Sequence, residues 1–174
     1  MGTPNSLNDC LATSVGDVNE LKMLIDLSHL NEKGFWDVAA LSEAPLVATH
    51  SNVHSICNSP RNLTDKQLDA IRDSSGFVGL NFATGFLRAD GKMAADTELE
   101  WVVRHMDALI ERLGEDRVGI GSDFDGALVP SEIGDVAGVQ NIFAVLAAHG
   151  YDQAILRKIG AVNWIDALER IWGK

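Results

Sequence analysis

Two rhythms of apolar residues alternate along this chain. Short β-branched runs are separated by stretches in which apolar positions recur every three or four residues, and that alternation predicts βα units built around a parallel sheet. Four runs qualify as strands, at residues 23–28, 46–49, 77–82 and 117–122. The first is followed by a predicted helix over 33–41 that stops before Pro45, since proline and the residue before it resist helical continuation. A capping box, Thr64-Asp65-Lys66-Gln67, opens the next helix near Asp65. A second box, Thr97-Glu98-Leu99-Glu100, precedes a stripe of Leu99, Val102, Val103, Met106, Leu109, Ile110 and Leu113 that ends at Gly114. Two further helical stretches are predicted at 135–149 and from 153 onward. No linker, low-complexity segment or repeat interrupts the pattern, so residues 1–174 read as one domain.

The ends of the predicted strands are polar: His29, then His50, then Asn81, then Asp123 and Asp125. In parallel α/β proteins ligands bind where the carboxyl ends of the strands gather, and polar groups there are costly unless each finds a partner or a ligand. A lone histidine at a strand end is usually structural. Two from successive strands are placed to share one metal ion. Asp-Phe-Asp-Gly at 123–126 is also good turn chemistry; Asp123 is read as functional and Asp125 as holding the loop. Asn81 either lines the site or caps its own turn. His105 lies inside the long helix, where packing beside a site or contact with solvent is expected rather than ligation, and His54 and His149 read as surface residues.

Composition narrows the classes of function. With 46% hydrophobic residues the chain has the makings of a globular core, and its formal charge of −11, spread along the sequence, argues against nucleic acid as a partner. No apolar run approaches a membrane span and no signal-peptide pattern is present, so the expected location is cytoplasmic. Cys10 and Cys57 show no Cys-x-x-Cys spacing and read as reduced thiols. Asn62-Leu63-Thr64 fits a glycosylation acceptor that, without a secretory signal, goes unused.

Several stretches together resemble the membrane (renal) dipeptidases, zinc metallopeptidases on a (β/α)8 barrel. They are Leu24-Ile25-Asp26-Leu27-Ser28-His29, Pro45 to Asn52, Arg61-Asn62 with Thr64-Asp65, and Val118 to Gly126, with Asn163-Trp164 and Trp172-Gly173 near the end. The resemblance implies that His29 and His50 are zinc ligands, that Arg61 binds substrate, and that Asp123 is an active-site aspartate in contact with the dipeptide. It implies two zinc ions per intact family site, a dipeptide as partner and a homodimer. The family's other ligands, a His-x-Asp pair and a bridging Glu, have no match here. About four C-terminal βα units of a TIM-type barrel, plus C-terminal helices, are therefore expected, with one zinc or none and a weak or absent activity. Two alternatives stay open: a non-catalytic remnant that self-associates, and another metal-dependent amidohydrolase.

Overall fold

The computed structural model describes residues 7–173, with side chains from Leu11 onward apart from residue 12. In chain order the elements are α1 (Leu7–Glu20), α2 (Glu32–Leu41), β1 (Val47–Ala48), α3 (Asp65–Asp73), β2 (Phe77–Asn81), the single turn α4 (Thr84–Leu87), α5 (Glu100–Leu113) and β3 (Val118–Ser122). A 3-10 turn (Val136–Gly138), α6 (Val139–Ala148), α7 (Gln153–Arg157), a π turn (Lys158–Val162) and α8 (Asn163–Trp172) complete the chain. The strands form a parallel sheet in the order β1-β2-β3, with Val47 opposite Phe77 and Val78 opposite Val118. This is the α/β arrangement that the alternating pattern predicts.

Every residue of β2 is buried, as expected of a strand covered on both faces. Its alternate residues serve two clusters. Val78 and Leu80 join Leu68 and Ile71 of α3 and Val102, Val103, Met106 and Leu109 of α5, whereas Phe77 joins Val47, Ala167 and Ile171, with Leu24 and Trp164 packed alongside. The outer edge of β3 is closed by side chains. Asn163 Nδ2 donates to the Glu115 and Val118 carbonyls at 2.7 and 2.8 Å, and Trp164 Nε1 donates to the Ile120 carbonyl at 2.8 Å. These bonds occupy carbonyls that would otherwise invite another strand.

Two local expectations are corrected. The strand predicted at 23–28 shrinks to a bridge between Asp26 and Val47, marked by the Leu27 amide donating to the Val47 carbonyl at 2.9 Å. The Asp26 carboxylate captures the amides of Ser28 and Thr49 at 3.0 and 2.9 Å, so a side chain replaces the ladder. The box at Thr97 does not form, because the buried Thr97 hydroxyl donates to the Ala94 carbonyl at 2.6 Å and the helix starts later, at Glu100. At Thr64 the box does form, with the Thr64 amide donating to Gln67 Oε1 at 2.9 Å. No helix among the described residues is long and apolar enough to cross a membrane.

His105 is fully buried within α5. Its Nδ1 accepts from the Val53 amide at 3.1 Å, so its Nε2 carries the hydrogen that is donated to the Leu87 carbonyl at 2.9 Å. The ring thereby ties the β1–α3 loop to α4. Burial pushes its pKa down to about 4. The unfolded chain therefore takes up a proton between pH 6.5 and 4 that the folded chain refuses, and stability falls as pH drops through that window. The expected loss is about 3 kcal/mol by the bottom of the window, read from urea midpoints against pH. A His105→Phe variant should lose that slope while costing roughly 1–3 kcal/mol at neutral pH, because the Val53 amide and Leu87 carbonyl lose their partner.

Candidate active site

His29 follows the Asp26 bridge and His50 follows β1, so neighbouring strand ends bring the two rings together. Their Nε2 atoms face each other at 2.8 Å, with ring centroids 4.9 Å apart and planes inclined by 57°. At that separation a proton or a cation must lie between two nitrogen lone pairs. Burial lowers the His50 pKa against the opposing pull of the Asp26 and Asp123 carboxylates, which keeps the ring neutral and able to ligate. The donor set fits two positions of a metal site. Among the described residues no third His, Cys, Asp or Glu joins them in a metal-binding group.

Beside His50 lies an acid whose role the sequence did not reveal. Asp26 Oδ1 accepts from the Ser28 hydroxyl at 2.7 Å and from the two backbone amides already named, while Oδ2 accepts from the Thr49 hydroxyl at 2.6 Å. Burial works to raise its pKa, but the hydrogen bonds from Thr49 and Ser28 outweigh burial and hold it below the ordinary carboxylate value. Thr49 Oγ1 lies 2.7 Å from His50 Nδ1, and the Ser28 hydroxyl accepts the His50 amide at 3.0 Å. The one hint in the sequence is an acid interrupting the apolar run Leu24-Ile25-Asp26-Leu27.

Arg61 is carried by the β1–α3 loop, which is closed at its base by a bridge between Val53 and Leu63. Asn62 Nδ2 fastens the loop to the Cys57 and Phe86 carbonyls, both at 2.9 Å. That buried amide is thus committed to the fold and not to a glycan. Held this way, the Arg61 guanidinium stands 5.5 Å from the centre of the Phe86 ring, with Nη2 at 3.4 Å from His29 Nε2. Its Nη1 is buried with no hydrogen-bond partner among the described residues. A buried cationic donor left open is costly unless a ligand completes it.

Asn81 does both things proposed for it. Its Oδ1 accepts the Ala83 amide at 2.6 Å, capping its own turn, while its Nδ2 donates to Asp123 Oδ2 at 2.9 Å and to the His50 carbonyl at 3.3 Å. Asp123 is held in a left-handed conformation with φ of 74°, between Ser122 and a loop that turns again at Asp125. A cleft of about 490 Å³ joins His29, Arg61 and Asp123 on one side to Phe86, Met93 and Leu128 on the other. Asp125 lines a neighbouring hollow of about 700 Å³ instead, and no side-chain hydrogen bond secures it among the described residues. The turn is closed by the Gly126 amide donating to the Asp123 carbonyl at 3.2 Å, with Asp125 at φ 65°.

The model of the membrane dipeptidases, peptidase family M19, matches residues 3–173. The chain belongs to the membrane dipeptidase family. Solved members share its fold closely. A metallopeptidase called dipeptidase AC superposes with a TM-score of 0.92 at 58% identity, over 94% of this chain and 48% of that one. A metallopeptidase from Rhodobacter sphaeroides, liganded with a phosphinate mimic of the dipeptide L-Ala-D-Ala, gives 0.91 at 58% identity over 92% of this chain and 46% of that one. A protein of the pqqA 5′ region in Klebsiella pneumoniae is 56% identical over 91% of this chain and 58% of its own length. Dipeptidase tcpJ of Claviceps purpurea is 31% identical over 90% of this chain and 36% of its own length. The chain thus spans about half the length of the family members it matches.

In this family member the site rests on close backbone approach. A Cβ at Gly79 would lie 2.1 Å from the Thr49 carbonyl, and one at Gly126 would lie 2.5 Å from Asp123 Oδ1. The first collision is with backbone and the second with the end of a side chain. Gly79→Ala is therefore expected to cost roughly 1–3 kcal/mol in denaturant unfolding. Gly126→Ala should cost less than about 1 kcal/mol, since Asp123 can rotate away, and should instead break the bond from Asn81. Amide and side-chain shifts of Asn81 read that loss.

Proposed function

We propose that this chain contributes to zinc-dependent hydrolysis of dipeptides, and that His29 and His50 supply two of the ligands to a zinc ion. The observation that carries this reading is the convergence of both imidazole Nε2 atoms on one point, beside an arginine whose Nη1 is buried with no partner among the described residues. Zinc, when bound, would polarise a scissile carbonyl and supply a hydroxide nucleophile near neutral pH. Arg61, with its planar fork of donors, would take the terminal carboxylate of the dipeptide. Asp123, held by the buried Asn81, would take the free amine or accept a proton as the tetrahedral adduct collapses.

The three-stranded sheet with its Asp26 bridge is read as a section of a TIM-type (β/α)8 barrel, with the site at the carboxyl ends of the strands. Two imidazoles make half of an ordinary zinc ligand set. Zinc binding by this chain on its own is accordingly expected to be weak, and its turnover of dipeptides low. The apolar wall of Phe86, Met93 and Leu128 suits an uncharged side chain, which is consistent with the L-Ala-D-Ala mimic bound by the Rhodobacter sphaeroides relative.

Metal content after reloading at neutral pH tests the reading, with L-Ala-D-Ala as the assay substrate. Bound zinc that is lost from the His29→Ala/His50→Ala double variant is the expected result, and no zinc on either protein would overturn it. For whatever chelator-sensitive turnover is found, Arg61→Gln should raise KM roughly 10- to 100-fold, the effect of losing a hydrogen bond between charged groups. An unchanged KM would remove Arg61 from the substrate site.

A further inference from the structure

Asp26 lies close to the ring of His50 without bonding to it: Nδ1 and Oδ2 are 3.8 Å apart, and the Thr49 hydroxyl bridges the gap. We propose that Asp26 is a positioning residue that, through the Thr49 hydroxyl, fixes His50 as its Nδ1–H tautomer with the Nε2 lone pair aimed at His29, and through the Ser28 hydroxyl holds the His50 backbone. This extends the reading of His29 and His50 as zinc ligands, because it identifies what presents one of them.

Counting hydrogens carries the assignment. Thr49 Oγ1 has a single hydrogen and two close neighbours, Asp26 Oδ2 at 2.6 Å and His50 Nδ1 at 2.7 Å. The carboxylate is ionised, with two backbone amides and the Ser28 hydroxyl donating to Oδ1, so it has no hydrogen to offer. The Thr49 hydrogen must go to it. Only a hydrogen on His50 Nδ1 can then occupy the second contact, which leaves Nε2 bare. The Ser28 hydroxyl repeats the logic on the main chain, giving its hydrogen to Oδ1 at 2.7 Å and accepting the His50 amide at 3.0 Å. One carboxylate therefore orients both the ring and the backbone of the same histidine. A metal-ligating imidazole needs this state, with its far nitrogen hydrogen-bonded and its near nitrogen unprotonated.

The assignment predicts a reversal. In Asp26→Asn the amide oxygen would stay with the backbone amides of Ser28 and Thr49, and the NH2 group would face Thr49 Oγ1. The Thr49 hydrogen would then turn to His50 Nδ1, and the ring proton would move to Nε2, where it blocks ligation. Thr49→Val removes the relay, so the ring falls back to the Nε2–H tautomer that an unpartnered neutral imidazole prefers, and Thr49→Ser keeps the relay.

The test is the long-range ¹H–¹⁵N spectrum of the imidazoles in the metal-free chain, with His50 assigned through His50→Gln. Protonated Nδ1 is expected in the wild type and in Thr49→Ser, and protonated Nε2 in Asp26→Asn and Thr49→Val. Zinc affinity, measured in parallel, should fall roughly 10- to 100-fold in the last two and stay near wild type in Thr49→Ser. Protonated Nε2 in wild-type His50, or an unchanged tautomer in folded Asp26→Asn and Thr49→Val, would overturn the relay. Should Asp26→Asn fail to fold, Thr49→Val, which loses one hydroxyl, decides alone. A wild-type chain that binds no zinc would remove the zinc reading, while the tautomer still decides the relay.

Discussion

Where backbone pairing of the sheet stops, side chains continue it, and the candidate site hangs from that substitution. Asn52 is the clearest instance: its Oδ1 accepts the Asn81 amide at 3.1 Å and its Nδ2 donates to the Asn81 carbonyl at 3.0 Å. A single carboxamide thus plays the part of a strand residue opposite Asn81, where the register between β2 and β3 becomes irregular. Asp26 does the same for the amides of Ser28 and Thr49. Buried backbone donors and acceptors must be satisfied, and satisfying them with side chains frees the chain to diverge from the sheet and turn its histidines and aspartate toward one cleft.

The same economy governs the two sides of the sheet. On the β3 side, Asn163 and Trp164 occupy the carbonyls of Val118 and Ile120, and the π turn ahead of α8 sets where those side chains fall. On the other side, the segment through Asp26 makes one bridge to β1, and Leu21, Met23 and Leu30 around it are exposed. The polar ends of Asp26 and His29 lie on that open side. Closure at one margin and exposure at the other give the sheet a direction, with the paired histidines toward the open margin.

How far the sequence announced this depends on the distance over which each interaction acts. The run 77–82 was legible as a strand because burial on both faces demands continuous apolar residues, and the α5 stripe was legible because its period is local. His29 and His50 could be paired because both end strands. Asp26 could not be read, because its partner Thr49 is 23 residues away and its bonds end a strand that the apolar pattern favours. Asn52 and Asn81, 29 residues apart, fail for the same reason. The Thr97 box misled because a capping signature is only as good as the absence of a competing acceptor, and Ala94 supplied one. Arg61 was indicated by resemblance alone, since nothing local shows that Phe86 would stand beneath it.

Ser122, Asp123 and Asp125 all adopt positive φ, at 52°, 74° and 65°. Each such residue costs of order 1 kcal/mol or more relative to glycine. The loop that presents Asp123 therefore holds conformational energy that a selection for thermal resistance alone would remove, by drift toward glycine at Ser122 and Asp125 on either side of it. Variants enriched in that way would melt later and present the carboxylate less well, so heat tolerance and function at this loop would be opposed objectives in any evolutionary or engineering search.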